Sequence, residues 1–255
     1  MLLHGLTATR RYVVMGSRLL QRSGLRVVAY DARGHGRSSP APSPDAYGYE
    51  CLAGDLEAVL DDLGLERAIL AGASMGAHTA VRFALAHPER IAALCLITPA
   101  YDPAQPGAQR DLARWDALAR GLREGGVEGF VAAYDLSAVP AEWRGTIEQV
   151  LRQRLAAHEH PAAVADALEA VPRSRPFNAL EELAAIARPT IIVASRDEAD
   201  PGHPLAVAER WALAIPAAQL VVEASGSPIA WRGGALSRLI LELANGLEPH
   251  VASGP

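Results

Sequence analysis

Gly72-Ala73-Ser74-Met75-Gly76 follows the apolar run Ala68-Ile69-Leu70-Ala71 and leads into a stretch of helical character, Ala77 to Ala86. A serine between glycines, where a buried strand meets a helix, sits on a sharp turn that lifts its hydroxyl clear of the backbone. The small residues have a physical reason: the turn needs strained backbone angles, and neighbouring Cβ atoms would collide with it.

Outward from this junction the chain alternates between strand and helix. Arg26 to Tyr30 is a β-branched run ending at Asp31. Tyr49 to Leu63 has helical spacing through Leu52, Leu56, Val59, Leu60 and Leu63, with Gly64 as its stop. Ala68–Ala73 reads as strand, Met75–His87 as helix and Ile91–Thr98 as strand. From about 99 to 187 no convincing strand occurs. Asp111–Leu122, Val127–Tyr134, Ala141–His158 and Pro161–Val171 read as helices, with breaks at Gly125-Gly126, Pro140 and Pro161. Alternation resumes with strand Thr190–Ala194, helix Leu205–Ile215, strand Gln219–Val222 and helix Ala235–Leu247. Short apolar strands separated by amphipathic helices specify an α/β fold, a mostly parallel sheet with helices on both faces. The expected organisation is a core of residues 1–98 and 188–247, a helical insertion at 99–187 and a flexible tail at 248–255.

The 255 residues, half of them hydrophobic, suffice for one sizeable core. A net charge of −5 gives no electrostatic case for a nucleic-acid partner. All 24 basic residues are arginine, a bias we read as codon usage rather than function. Cys51 and Cys95 lie in apolar contexts and are expected as reduced core thiols. No run approaches the length of about 20 apolar residues that spans a bilayer, and no basic-then-apolar leader precedes the fold; the expectation is a cytoplasmic protein without a membrane partner. No G-x-G-x-x-G, Walker or metal-ligand motif occurs, so neither cofactor nor metal is implied.

Acyl transfer at a serine needs a nucleophile, a base, a group that orients the base, and donors for the oxyanion. Ser74 supplies the nucleophile. One oxyanion donor is the amide of the residue after it, Met75, at the positive end of a helix. The second is expected from a loop after an earlier strand, and Leu6 in His4-Gly5-Leu6, after Leu2-Leu3, fits.

These residues resemble the α/β-hydrolase superfamily over essentially the whole chain. The resemblance rests on His4-Gly5, on Asp31-Ala32-Arg33-Gly34-His35-Gly36-Arg37-Ser38, and on the serine turn. It implies that Asp31, Arg33 and His35 brace the site, that the helical insertion is a cap over the serine, and that an acid follows strand Thr190–Ala194. Asp200, four residues before Pro204, is favoured over Asp197 for that acid. The resemblance also implies a histidine after the next strand, but the chain reads Glu223-Ala224-Ser225-Gly226-Ser227-Pro228 there, with Gly226 at the histidine's place. Glycine transfers no proton, and a serine hydroxyl is too weak a base near neutral pH. His203, three residues from Asp200, is the leading substitute. His78 is expected to point into packing, and His158 and His160 to end a helix.

One more departure lies at the start. The strand carrying His4-Gly5 is about three residues long, below the usual five or six, and the sheet is expected to lack the superfamily's first two strands. The leading expectation is a serine hydrolase acting on a small carboxylic ester or related acyl compound through an acyl-enzyme at Ser74. The alternative is a ligand-binding or non-hydrolytic protein on the same fold. Oligomeric state is left open.

Overall fold

The computed structural model describes residues 1–105, 109–137, 139–196, 198, 200, 202–224 and 227–247, with Gln109 and Arg110 by backbone alone. Asp197, the Ser225-Gly226 pair, His250 and the expected tail at 248–255 lie outside the described residues.

Five strands form one parallel sheet in the order in which they occur along the chain: β1 (Leu2–Leu3), β2 (Ala68–Ala73), β3 (Ile91–Ile97), β4 (Thr190–Ala194) and β5 (Ala218–Val222). Successive strand residues point to opposite faces. Leu94 and Leu96 of β3 and Ile192 and Ala194 of β4 face a cluster built with α2 (Tyr49–Asp62), α3 (Met75–Ala86) and α7 (Leu205–Ala214). Ala93, Cys95, Ile97, Ile191 and Val193 face the other way, toward α1 (Leu19–Arg22) and α8 (Gly233–Leu247). Both faces are apolar because both are covered, which is why the strands read as continuous hydrophobic runs.

Between β3 and β4 come α4 (Gln109–Ala133), which leaves helical geometry at Gly126, then α5 (Ala141–Leu155) and α6 (Pro161–Ala170). Their apolar sides build a third cluster with Leu6 and Met75. The insertion is therefore packed directly onto the two residues expected to donate to an oxyanion.

Two elements are shorter than their sequence suggests. Arg26–Tyr30 forms only a single bridge, Leu2 to Ala29, with the Leu2 amide donating to Val28 at 2.8 Å. The two-residue β1 offers too little edge for a longer ladder. Helix α5 stops at Leu155 rather than His158, because His158 is bonded elsewhere, as described below. Cys51 and Cys95 are both free thiols, and burial pushes the Cys95 pKa up to about 12. No helix among the described residues is long and apolar enough to cross a membrane.

Candidate active site

Ser74 closes β2 with φ 50° and ψ −112°, a left-handed conformation unusual for a residue with a Cβ. The glycines two positions either side make this possible. A Cβ on Gly72 would stand 2.3 Å from the Gly76 backbone, and one on Gly76 would stand 2.2 Å from the Leu3 carbonyl oxygen. The turn is thus pressed against β1 with no space for a methyl group. Gly76→Ala is expected to destabilise the fold by about 3 kcal/mol; a urea midpoint equal to wild type would show that the backbone yields freely there.

His203 and Asp200 share one tight turn after β4, with the His203 amide donating to the Asp200 carbonyl at 3.1 Å. His203 Nε2 lies 3.0 Å from Ser74 Oγ, and Nδ1 lies 2.9 Å from both Asp200 carboxylate oxygens. A carboxylate can only accept, so Nδ1 carries the proton and donates, and Nε2 is left to accept from the serine hydroxyl. The side chains are partly buried, at 26% exposure for His203 and 18% for Asp200. Burial opposes charge on His203, but the Asp200 charge and hydrogen bond outweigh it, and the histidine's pKa is raised above its ordinary 6.5. Burial likewise pushes the Asp200 carboxyl up. His203 and the Arg154 charge outweigh that, and the net shift is downward. The pair is tuned to hold a negative aspartate beside a histidine that readily accepts a proton.

The other histidines are committed elsewhere. The His78 ring bonds Tyr49 Oη at 2.8 Å through Nδ1, and its Nε2 accepts the amides of Ala100 and Tyr101 at 3.1 and 3.2 Å. His158 Nδ1 accepts the Gly36 amide at 2.8 Å, its Nε2 faces the Thr7 carbonyl at 3.3 Å, and Glu159 N donates to Gly36 O at 2.8 Å. His160 precedes α6.

The loop after β1 carries Leu6. His35 Nε2 donates to the Leu6 carbonyl at 2.5 Å, which fixes the peptide plane. Among the described residues neither the Leu6 nor the Met75 amide has an acceptor. Asp31 holds the loop from below by accepting Arg10 N at 2.8 Å and Arg10 Nη1 at 2.9 Å. Arg33 forks onto Asp55 with both contacts at 2.6 Å. His4 Nε2 accepts the Ala32 amide at 2.9 Å, tying the two loops together.

A cleft of about 600 Å³ lies elsewhere, lined by Asp116, Arg120, Arg123, Glu124, Glu169 and Arg173. Its charges pair largely with one another, Arg123 with Asp166 and Glu169 and Arg173 with Asp116, so it offers no reactive group. Among the described residues no cluster of three or more His, Cys, Asp or Glu side chains gathers as a metal site.

The chain is similar to several known proteins. The chain is 33% identical over 178 residues to RutD of Rhizobium rhizogenes, which is named as a carbamate hydrolase; the match covers 68% of this chain and 64% of that protein. It is 34% identical over 185 residues to 2-hydroxy-6-oxononadienedioate/2-hydroxy-6-oxononatrienedioate hydrolase 2 of Pseudomonas putida, covering 70% of this chain and 63% of that one. The match thus spans less than two thirds of the length of these two curated relatives. A thermophilic esterase from Thermogutta terrifontis superposes with a TM-score of 0.76 over 97% of this chain and 89% of its own, at 24% identity, a likeness of fold. The family model for the alpha/beta hydrolase fold matches residues 1–230, and the chain belongs to that family.

Proposed function

We propose that the protein is a serine hydrolase that cleaves a small carboxylic ester or related acyl compound, with Ser74, His203 and Asp200 as its catalytic triad. The observation that carries this reading is the 3.0 Å contact between Ser74 Oγ and His203 Nε2, with Asp200 on the far side of the ring. Ser74 Oγ attacks the acyl carbon as His203 Nε2 takes its proton. Asp200 keeps the ring in the tautomer that can do so and stabilises the imidazolium. The Leu6 and Met75 amides receive the oxyanion. His203 then protonates the leaving group, and water activated by the same nitrogen releases the acid from Ser74. The helices of residues 109–170 act as a cap that excludes bulk water and shapes the acyl pocket.

Two observations support a histidine displaced from the superfamily's usual loop. Gly226 stands at that place in the sequence, and the turn after β4 delivers an imidazole in the required tautomer. Both curated relatives described above are named as hydrolases. A fluorophosphonate probe tests the reading. Wild type is expected to be labelled stoichiometrically and Ser74→Ala not at all; an unlabelled, folded wild type would overturn it.

A further inference from the structure

Of the three arginines on helix α5, Arg152 and Arg154 are in contrasting states. Arg152 is fully engaged, with Glu128 at 3.0 Å and with Glu148, one turn back, at 3.1 Å. Arg154 has no acid three or four residues away on its helix. Its Nε is buried without a hydrogen-bond partner, and among the described residues no carboxylate forms an ion pair with it. Its guanidinium instead lies over the Tyr12 ring, 5.2 Å from the centroid. An unpaired buried N–H on a cation is costly unless something else satisfies it.

The position of this side chain is well anchored. His158 and Glu159, just beyond α5, are bonded to Gly36 and Thr7, so the end of the helix is fastened to the loop that carries Leu6. Tyr12 follows on that same loop. From there the Arg154 charge acts on both Asp200 and His203, and Arg114 of α4 adds a second cation acting on His203. Arg114 itself is exposed and stacked over Trp115 at 5.1 Å.

Given Ser74 as nucleophile, we infer that the substrate carries a carboxylate and that Arg154 is the residue that binds it. A guanidinium presents parallel N–H groups that match two carboxylate oxygens, and the Tyr12 ring holds its plane in place. The nearby negative Asp200 favours a monoanionic carboxylate over a dianionic phosphate, which it would repel more strongly. The substrate class is then an ester or acyl compound with a free acid group a few bonds from the scissile carbonyl.

The test reads binding in Ser74→Ala protein, so that it does not depend on turnover. Calorimetry compares monomethyl succinate with methyl butyrate, which has a methyl group in place of the carboxylate, and with methyl 3-phosphonopropionate. Monomethyl succinate is expected to bind at least tenfold more tightly than either. Arg154→Met is expected to abolish that preference, Arg154→Lys to retain part of it, and the melting temperature of Arg154→Met to hold or rise, because a cation with a buried, unpartnered N–H is removed. The inference is overturned by equal binding of the succinate and butyrate esters, by no binding of monomethyl succinate at millimolar concentration, or by preference for the phosphonate. It is equally overturned by a preference that survives Arg154→Met, or by a melting temperature several degrees lower in that variant, which would make the arginine structural. Failure of wild-type protein to take up the fluorophosphonate counts separately, against Ser74.

Discussion

His203→Ala is expected to lower kcat/KM for ester hydrolysis by about four orders of magnitude. The melting temperature should stay within a few degrees, because the ring is partly exposed and its only described side-chain bonds are to Ser74 and Asp200. The size of the loss follows from the chemistry: without a base, the Ser74 hydroxyl attacks as a neutral alcohol and only the oxyanion donors and substrate binding remain. His78→Ala offers no such effect through proton transfer, since its ring is bonded to Tyr49 and to two amides. The pH profile sharpens the expectation. The base must be neutral, and its pKa is raised above 6.5 by Asp200, so kcat/KM should fall on the acid side with a midpoint above 6.5. Asp200→Asn removes the charge that causes the shift and should move that midpoint down. Wild-type turnover retained in His203→Ala, or an acid limb that Asp200→Asn leaves in place, would remove this histidine from the mechanism.

Acidification to pH 5 is expected to destabilise the fold by about 6 kcal/mol, a large part of the stability of an ordinary domain. The main cause is three buried neutral histidines that accept backbone amides; a fourth, His35, faces two backbone carbonyls, and burial lowers its pKa as well. His4, His78 and His158 each use an unprotonated ring nitrogen to accept backbone amides. Protonation destroys that acceptor and places a charge in the interior. Burial, the largest influence on each, lowers the pKa to about 3 for His4 and His78 and about 4 for His158, from 6.5. The unfolded chain therefore binds protons first as the pH drops below 6.5. The stabilising contribution is complete above 6.5 and declines toward pH 4, by roughly 2 kcal/mol per histidine at pH 5. His203, whose pKa moves the other way, contributes a constant amount below 6.5. Urea midpoints at pH 7 and pH 5 measure the difference. His158→Asn, whose amide oxygen can replace the Nδ1 acceptor, should flatten the slope. Identical midpoints at the two pH values would refute the account.

Much of the core was legible because its signals are local. The serine turn carries its own steric requirements in Gly72 and Gly76, and the runs Ile91–Ile97 and Ile191–Ala194 are apolar at every position because both faces of the sheet are covered. Arg26–Tyr30 looked equally strand-like, yet what limits it is the two-residue β1 beside it, a property of the partner rather than of the segment. At the site, Ser74 and its following amide could be read directly. The meeting of His203 with Ser74 could not, because it depends on how one turn 129 residues away packs against the sheet. Arg154 left a fainter trace, the lack of any acid a helical turn away, and its isolation is decided by residues far along the chain.

A triad drawn from three separate loops must bring together three remote points, and each meeting costs chain entropy that grows with the length of the loop closed. Here Asp200 and His203 are three residues apart, and their pairing closes almost no loop at all. Only one distant encounter remains, that of the 200–203 turn with Ser74. The carboxylate and imidazole can therefore form their contact in a short segment before the rest of the domain is in place, and within the proposed triad folding has a single long-range junction to complete.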